Sequence, residues 1–234
     1  MMENKELFDE YFDSVFKLSN KFTESEYAQK CREYDMLYKE FMPADKSAQI
    51  LDIGCGAGHF LYFLNKKGYI DIQGIDISAQ QIDFCRKKIS EKVTQADAFD
   101  FLADKKEIYD VISSHDVLEH IPKEKVIPFL RLVYAGLKPG GVFFAKTPNM
   151  GNLFSLRLRY ADFTHQVGFT EKSLRQVFWI AGFRDIRILP SYDHGLRQKV
   201  AAAIIRFFIC KLMWYQGYVA PEILTPVLIA VVKK

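Results

Sequence analysis

The stretch ILDIGCGAGHF, residues 50–60, sets the tightest limit on how this chain can fold. A short apolar run carrying one acid, Asp52, meets Gly54, Gly56 and Gly58, and helical periodicity follows directly. Gly54 and Gly56 can take positive φ and let a ligand approach the backbone, whereas Gly58 permits close packing of the following helix. A strand, a glycine turn and a helix in that order form the first half of a βαβ unit.

The alternation continues along the chain. Tyr27, Cys31, Tyr34, Leu37, Tyr38 and Phe41 recur at helical spacing over about 24–41, stopped near Pro43. Past the glycine turn a helix is expected to about residue 67, DIQGIDI (71–77) as a second strand, and 82–89 as a helix. VTQAD (93–97) and YDVISS (109–114) read as strands, 123–137 as a helix, and KPGG (138–141) as a turn. GVFFAKTPN (141–149) is the next strand, 171–181 a helix, FRDIRILPS (183–191) a strand, and LTPVLIAVVKK (224–234) the last strand. This order predicts an α/β fold: a Rossmann-like, doubly wound, mostly parallel sheet with helices on both faces and ligands outside the carboxyl ends of the strands.

At 234 residues the chain fits one large domain, with or without a small appendage. A net charge of +3, with no basic stripe interleaved with aromatics, argues against a nucleic-acid partner. Cys31, Cys55, Cys85 and Cys210 lack metal-like spacing or secretory clustering, and the first residues lack an apolar signal core, so a reducing cytoplasm is expected.

Asp76 ends the second strand, where a carboxylate can accept both hydroxyls of a ribose. The glycine spacing is G-x-G-x-G, not the G-x-G-x-x-G of dinucleotide folds, which favours an adenosine without a diphosphate and disfavours a nicotinamide oxidoreductase.

LDIGCGAG, GIDIS, QADAFDF, YDVISSHDVLEHIP and LKPGGVFFAKTPN, in this order between about residues 48 and 190, resemble the motifs of the class I S-adenosylmethionine-dependent methyltransferases. The resemblance implies a seven-stranded sheet whose last strand is antiparallel. It implies a helical segment at 1–47 covering the cofactor site of a 48–234 domain. It further implies that Asp52, Gly54, Cys55, Gly56 and Gly58 line the methionine part of S-adenosylmethionine, with His115 also at the cofactor. Asp76 and Ile77 would hold the ribose, and Asp97, Ala98 and Phe99 the adenine.

Methyl transfer from a sulfonium is an in-line displacement that gains chiefly from positioning, and a hydroxyl acceptor must also lose its proton. Among His59, His115, His120, His165 and His194, the base candidates are His120, just after the fourth strand, and His165, in ADFTHQVGFT. His59 is expected to cap or pack at the start of a helix. Asp116, Glu119 and His120 are similar to the acid-acid-histidine metal cluster of ubiquinone-pathway O-methyltransferases, with a shorter acid in the first place; a hard divalent cation there would lower the acceptor's pKa.

The stretch LRLRYADFTHQVGFTEKSLRQVFWIAGF resembles methyltransferases of bacterial surface-polysaccharide pathways. Asn149, Arg157, Arg159, Tyr160, Asp162, Thr164 and His165 would then contact a sugar, between apolar walls at Phe163 and Phe169. The sequence reading is thus a methyltransferase acting on a small-molecule hydroxyl, a sugar or glycan precursor first. A quinone or lipid-type O-methyltransferase and a non-catalytic cofactor-binding partner subunit are the alternatives.

Residues 196–219 interrupt the strand-helix alternation with a helix apolar on nearly every side. Arg206 and Lys211 within it disfavour a membrane span. Burial against the domain or a second subunit, as a homodimer, is expected, and peripheral contact with anionic lipid is the alternative.

Overall fold

A computed structural model describes residues 21–152, 154–191 and 196–234, without the side chains at 196–199, 201 and 202. Residues 1–20 of the expected N-terminal segment, and His194, lie outside the described residues.

Helix α1, Glu24–Tyr38, begins at Thr23, whose side chain accepts the Glu26 N–H, while the Glu26 carboxylate accepts the amides of Phe22 and Lys21. These bonds satisfy donors that a helix start leaves open. β1 (Ile50–Ile53), α2 (His59–Lys66), β2 (Ile72–Asp76), α3 (Ala79–Lys88) and β3 (Val93–Gln95) follow as the alternation predicts. Next come the short helix α4 (Ala98–Leu102), β4 (Tyr109–His115), a 3₁₀ turn at Leu118–His120, and α5 (Lys123–Gly136). β5 (Leu137–Pro148), α6 (Ser155–Tyr160), α7 (Glu171–Ala181), β6 (Asp185–Pro190), α8 (Leu196–Tyr215) and β7 (Val227–Lys233) complete the chain.

The seven strands form one sheet in the order β3-β2-β1-β4-β5-β7-β6, with β7 antiparallel to both neighbours. The order reverses between β1 and β4, which pair in parallel, so the crevice beyond their carboxyl ends is the place for a ligand. Apolar side chains from both faces of the sheet build two cores. One packs Phe129, Phe143, Phe178 and Phe183 under α5 and α7, and the other packs Phe60, Phe63 and Phe144 under α1 and α2.

The expected KPGG turn is absorbed into β5. The register runs from Leu137 to Val142 on β5 while β4 advances only from Tyr109 to Val111, so the turn becomes a wide bulge. Gly140 at φ 78 bends it, and Lys234 pairs with Gly140 and Gly141, so backbone groups a free turn would leave to solvent are bonded to the end of the chain.

Burial of 196–219 against the chain's own domain, one of the two partners expected for it, does not occur among the described residues. From 203 to 219 no side chain is buried; Phe208 is 66% and Trp214 78% exposed. Periodicity alone cannot say whether an all-apolar helix has a partner within its own chain.

Candidate active site

The glycine turn is built by the strand ends around it. The amides of Gly54 and Cys55 both donate to the Ile75 carbonyl, at 2.8 and 2.9 Å, which ties the turn to β2. The Gly56 amide donates to Asp76 Oδ2 at 2.9 Å and the Ser78 amide to Asp76 Oδ1 at 2.8 Å, so the Asp76 carboxylate spans both loops. Burial raises the Asp76 pKa, and these amides oppose the rise.

Asp52, 2% exposed, accepts the Ser113 hydroxyl of β4 at 2.7 Å. Burial pushes its carboxyl up to about 7, the Ser113 bond working against the rise. His115, one strand over, has Nδ1 3.9 Å from Asp52 Oδ1 and Nε2 3.0 Å from the Tyr38 hydroxyl. Burial and then the Lys146 charge push His115 down to about 3, so it stays neutral at physiological pH.

α1 lies over this corner. The Tyr27 hydroxyl donates to the Ala57 carbonyl of the glycine turn at 2.8 Å, and Tyr38 stacks on Phe144 at 4.3 Å.

Beyond β4 the chain turns at Asp116, whose φ is 57, and enters the 3₁₀ turn. The Asp116 carboxylate leaves the histidine and bonds Lys146 of β5 at 2.6 Å. The Asp116–Glu119–His120 metal set, possible from the sequence but not favoured, is not brought together among the described residues, because a lysine one strand away takes its first acid. Glu119, 2% exposed, instead accepts the Thr147 hydroxyl at 3.1 Å. Burial, then the nearby Asp116 charge, push its carboxyl up to about 8, so it is chiefly protonated at neutral pH.

The loop after α6 closes on this turn: the amides of Gln166 and Val167 donate to the Glu119 carbonyl at 2.7 and 3.1 Å. It carries a short relay. Asp162 Oδ1 accepts both the Thr164 amide, at 2.9 Å, and the Thr164 hydroxyl, at 2.6 Å. With its only proton so placed, the Thr164 oxygen accepts from His120 Nδ1, 2.8 Å away. His120 thereby carries its proton on Nδ1 and its lone pair on Nε2. Burial and then the neighbouring His165 lower the His120 pKa to about 4. The His165 ring stands 4.9 Å from that of His120. Glu119, His120 and His165 each bring one atom able to ligate a metal within 4.8 Å of the others, a grouping with His165 in the place expected for Asp116.

Asp52, Gly56, Asp76 and His115 thus converge, as do His120 and His165. Gly54 and Gly58, both at positive φ, also face protein: a Cβ would stand 2.3 Å from Val117 at Gly54 and 2.6 Å from Cys85 at Gly58. The Cys55 side chain packs towards Gly74 of β2, its amide and carbonyl already bonded, so it offers the crevice little. Asp97 is exposed and caps α4, accepting the Phe99 amide at 2.7 Å, so the expected adenine loop is a helix start. Ala98 and Phe99 are half-buried on that helix, and Ile77 is exposed beside Asp76. His59 starts α2 and stacks on Tyr27 at 4.6 Å, the packing role expected for it.

The side chains expected to hold a sugar are mostly engaged within the protein. Asn149 is buried and donates to the carbonyls of Ile223 and Thr225; Arg159 donates to those of His165 and Gln166. Phe169 is core, while Phe163, expected as a wall, is 87% exposed. Sequence reasoning missed Tyr38, Ser113 and Lys146, and read Asp162 and Thr164 only as sugar contacts. The serine pair in an otherwise apolar strand was the available signal for Ser113.

Residues 24–188 match the family model described as a methyltransferase domain. A ubiquinone biosynthesis O-methyltransferase of Idiomarina loihiensis is 31% identical over 133 residues, covering 55% of this chain and 53% of that protein. The chain thus matches about half the length of the curated relatives found. A crystal structure of a SAM-dependent methyltransferase from Archaeoglobus fulgidus superposes with a TM-score of 0.66 at 26% identity, covering 97% of this chain and 98% of that one. The phosphoethanolamine N-methyltransferase 2 of Haemonchus contortus, solved with S-adenosyl-L-methionine, shares the fold with a TM-score of 0.61 at 16% identity, over 97% of this chain and 60% of that one. The paired strand-end carboxylates and the positive-φ glycine turn suit a cationic sulfur nucleoside, and the chain belongs to the methyltransferase-domain family as a class I S-adenosylmethionine-dependent methyltransferase.

Proposed function

We propose that the chain methylates a hydroxyl of an apolar, quinone- or lipid-type acceptor, with His120 as the general base. The observation that carries this reading is the Asp162–Thr164–His120 relay, which orients a half-buried imidazole that stays neutral at physiological pH. Asp52, Gly56, Asp76 and His115 bind the cofactor in this reading, with Asp97, Ala98 and Phe99 at its base and Gly54 and Gly58 shaping the turn. The bound cofactor supplies an electrophilic methyl group. His120 takes the acceptor's proton as the oxygen attacks, Thr164 and Asp162 steady the imidazolium that forms, and burial keeps competing water out.

The acceptor class follows from what surrounds the base. Of the polar side chains expected for a sugar, Asn149, Arg159, Asp162 and Thr164 are tied up internally, whereas exposed Phe154, Leu156 and Phe163 border the same loop. The names of the curated relatives point the same way. The free cysteines fit a reducing, cytoplasmic setting.

The test is turnover on matched panels of hydroxylated aromatic or lipid-linked acceptors and of free and nucleotide-linked sugars, with products identified by mass spectrometry. Methylation confined to the sugars overturns the acceptor class. Tight binding of S-adenosylhomocysteine with no turnover on either panel points to a non-catalytic partner subunit. The Glu119–His120–His165 grouping supports a second reading, a bound divalent ion in place of a free base. Activity is expected to survive chelator; loss on chelation with recovery on adding metal selects the second reading.

A further inference from the structure

We infer that α8, together with the segment around α6, is a docking surface for an anionic lipid bilayer, on which the helix lies in the plane of the interface. Ile205, Phe208 and Leu212 recur at spacings of three and four, so they form one stripe along α8, and all are exposed. Arg206 and Lys211 fall on opposite flanks of that stripe by the same geometry. Trp214, Tyr215 and Tyr218 gather at the end of the helix, side chains that favour the headgroup level of a membrane. Between Asp193 and Glu222 the sequence holds Arg197, Lys199, Arg206 and Lys211 and no acid.

The second apolar element springs from the same corner. Asn149 Nδ2 donates to the carbonyls of Ile223 and Thr225, both at 2.9 Å, and Asn152 Nδ2 to that of Leu224 at 2.5 Å. Arg206 Nη1 donates to the Pro221 carbonyl at 3.3 Å and to that of Glu222, anchoring α8 to the same segment. The chain entering α6 and the chain leaving α8 are therefore fastened together, so Phe154, Leu156 and Tyr160, with Arg157 and Arg159 in the same segment, border this surface. The loop after α6 continues into the relay on His120, which sets the surface beside the acceptor side of the crevice.

Charge decides the occupant. A two-fold pairing of α8 with a second copy would bring Arg206 and Lys211 against the same bases with no acid on the segment to answer them. An anionic bilayer supplies that countercharge along with an apolar layer for the stripe. Among the described residues no helix is long and apolar enough to cross a membrane, so contact is at the surface.

Flotation of the full chain with vesicles of phosphatidylcholine alone, or of phosphatidylcholine mixed with phosphatidylglycerol, tests this without acceptor or turnover, so its outcome is separate from that of the proposed reaction. Binding only to the anionic vesicles, weakened by salt, is expected. Lys211→Glu should weaken it at least about tenfold, since each basic side chain near such a surface counts for about fivefold and this change reverses the charge, and Phe208→Ser/Leu212→Ser should weaken it at least about tenfold by removing apolar area from the stripe. Both variants should keep wild-type affinity for S-adenosylhomocysteine, which shows that they fold. Absence of vesicle binding, or binding indifferent to anionic lipid, overturns the inference. So does a lipid-free dimer in sedimentation that Phe208→Ser/Leu212→Ser dissolves.

Discussion

The protonation of the proposed base depends on Thr164, which lies in the loop after α6. Replacing it by valine removes the oxygen that accepts from His120 Nδ1, so the imidazole loses that orienting bond and Asp162 loses a donor. We expect Thr164→Val to lower kcat by about 10- to 100-fold, within the range a placed base contributes, with the KM for S-adenosylmethionine unchanged and Thr164→Ser close to wild type. Unaltered kcat in the valine variant would remove the relay from the mechanism. Asp52 makes a second prediction at this scale. Its carboxyl is pushed up to about 7 by burial, and a ligand ammonium favours the ionised form. As pH falls below about 7 the proton competes with the ligand, so affinity for S-adenosylhomocysteine should drop by up to about tenfold per pH unit. Titration calorimetry across this range checks it: the slope should vanish in Asp52→Asn, and a slope that persists there assigns it to another group.

Elements place these residues by making close approaches that only particular side chains allow. Gly58 caps α2 at φ 80, and a Cβ there would stand 2.6 Å from Cys85 Sγ and 3.1 Å from Ile89, so α2 and α3 meet at this glycine. Gly58→Ala combines a strained backbone with an overpacked contact and should cost about 2 to 4 kcal/mol. In a chain of this size that lowers Tm by roughly 5 to 15 °C, measured by calorimetry. A drop of only a degree or two would mean that the helices part easily at this point. α7 shows the opposite case, an element legible end to end. Its bounds, 171–181, are the same in sequence and structure, where the Thr170 cap paired with Ser173 fixes its start. KPGG was legible as a bend but not as part of a strand, because its pairing partner lies at the far end of the chain.

Over the whole molecule, burying carboxyls at the strand ends ties stability to pH. Glu119 is raised to about 8 from an ordinary 4.5, so between these values the folded chain holds a proton that the unfolded chain has lost. Its contribution is therefore full below about 4.5 and is lost as pH rises through about 8. The stability difference between wild type and Glu119→Gln, followed by urea unfolding, should shift against the wild type from pH 5 to pH 8; a constant difference would place the carboxyl in a wetter site. The sequence by itself determined the α/β alternation, the crevice at the end of β1, and the acids Asp52 and Asp76, because these rest on local periodicity and on spacing within one βαβ unit. Tertiary structure alone decided that Lys146 takes Asp116, that His165 stands beside His120, that Asp162 and Thr164 bond next to the His120 ring, and that the described side chains of α8 are left uncovered. Each of those outcomes depends on which distant strand or loop lies next to a residue. No local pattern encodes that, since burial and the pairing of charges are settled only when the whole sheet is assembled.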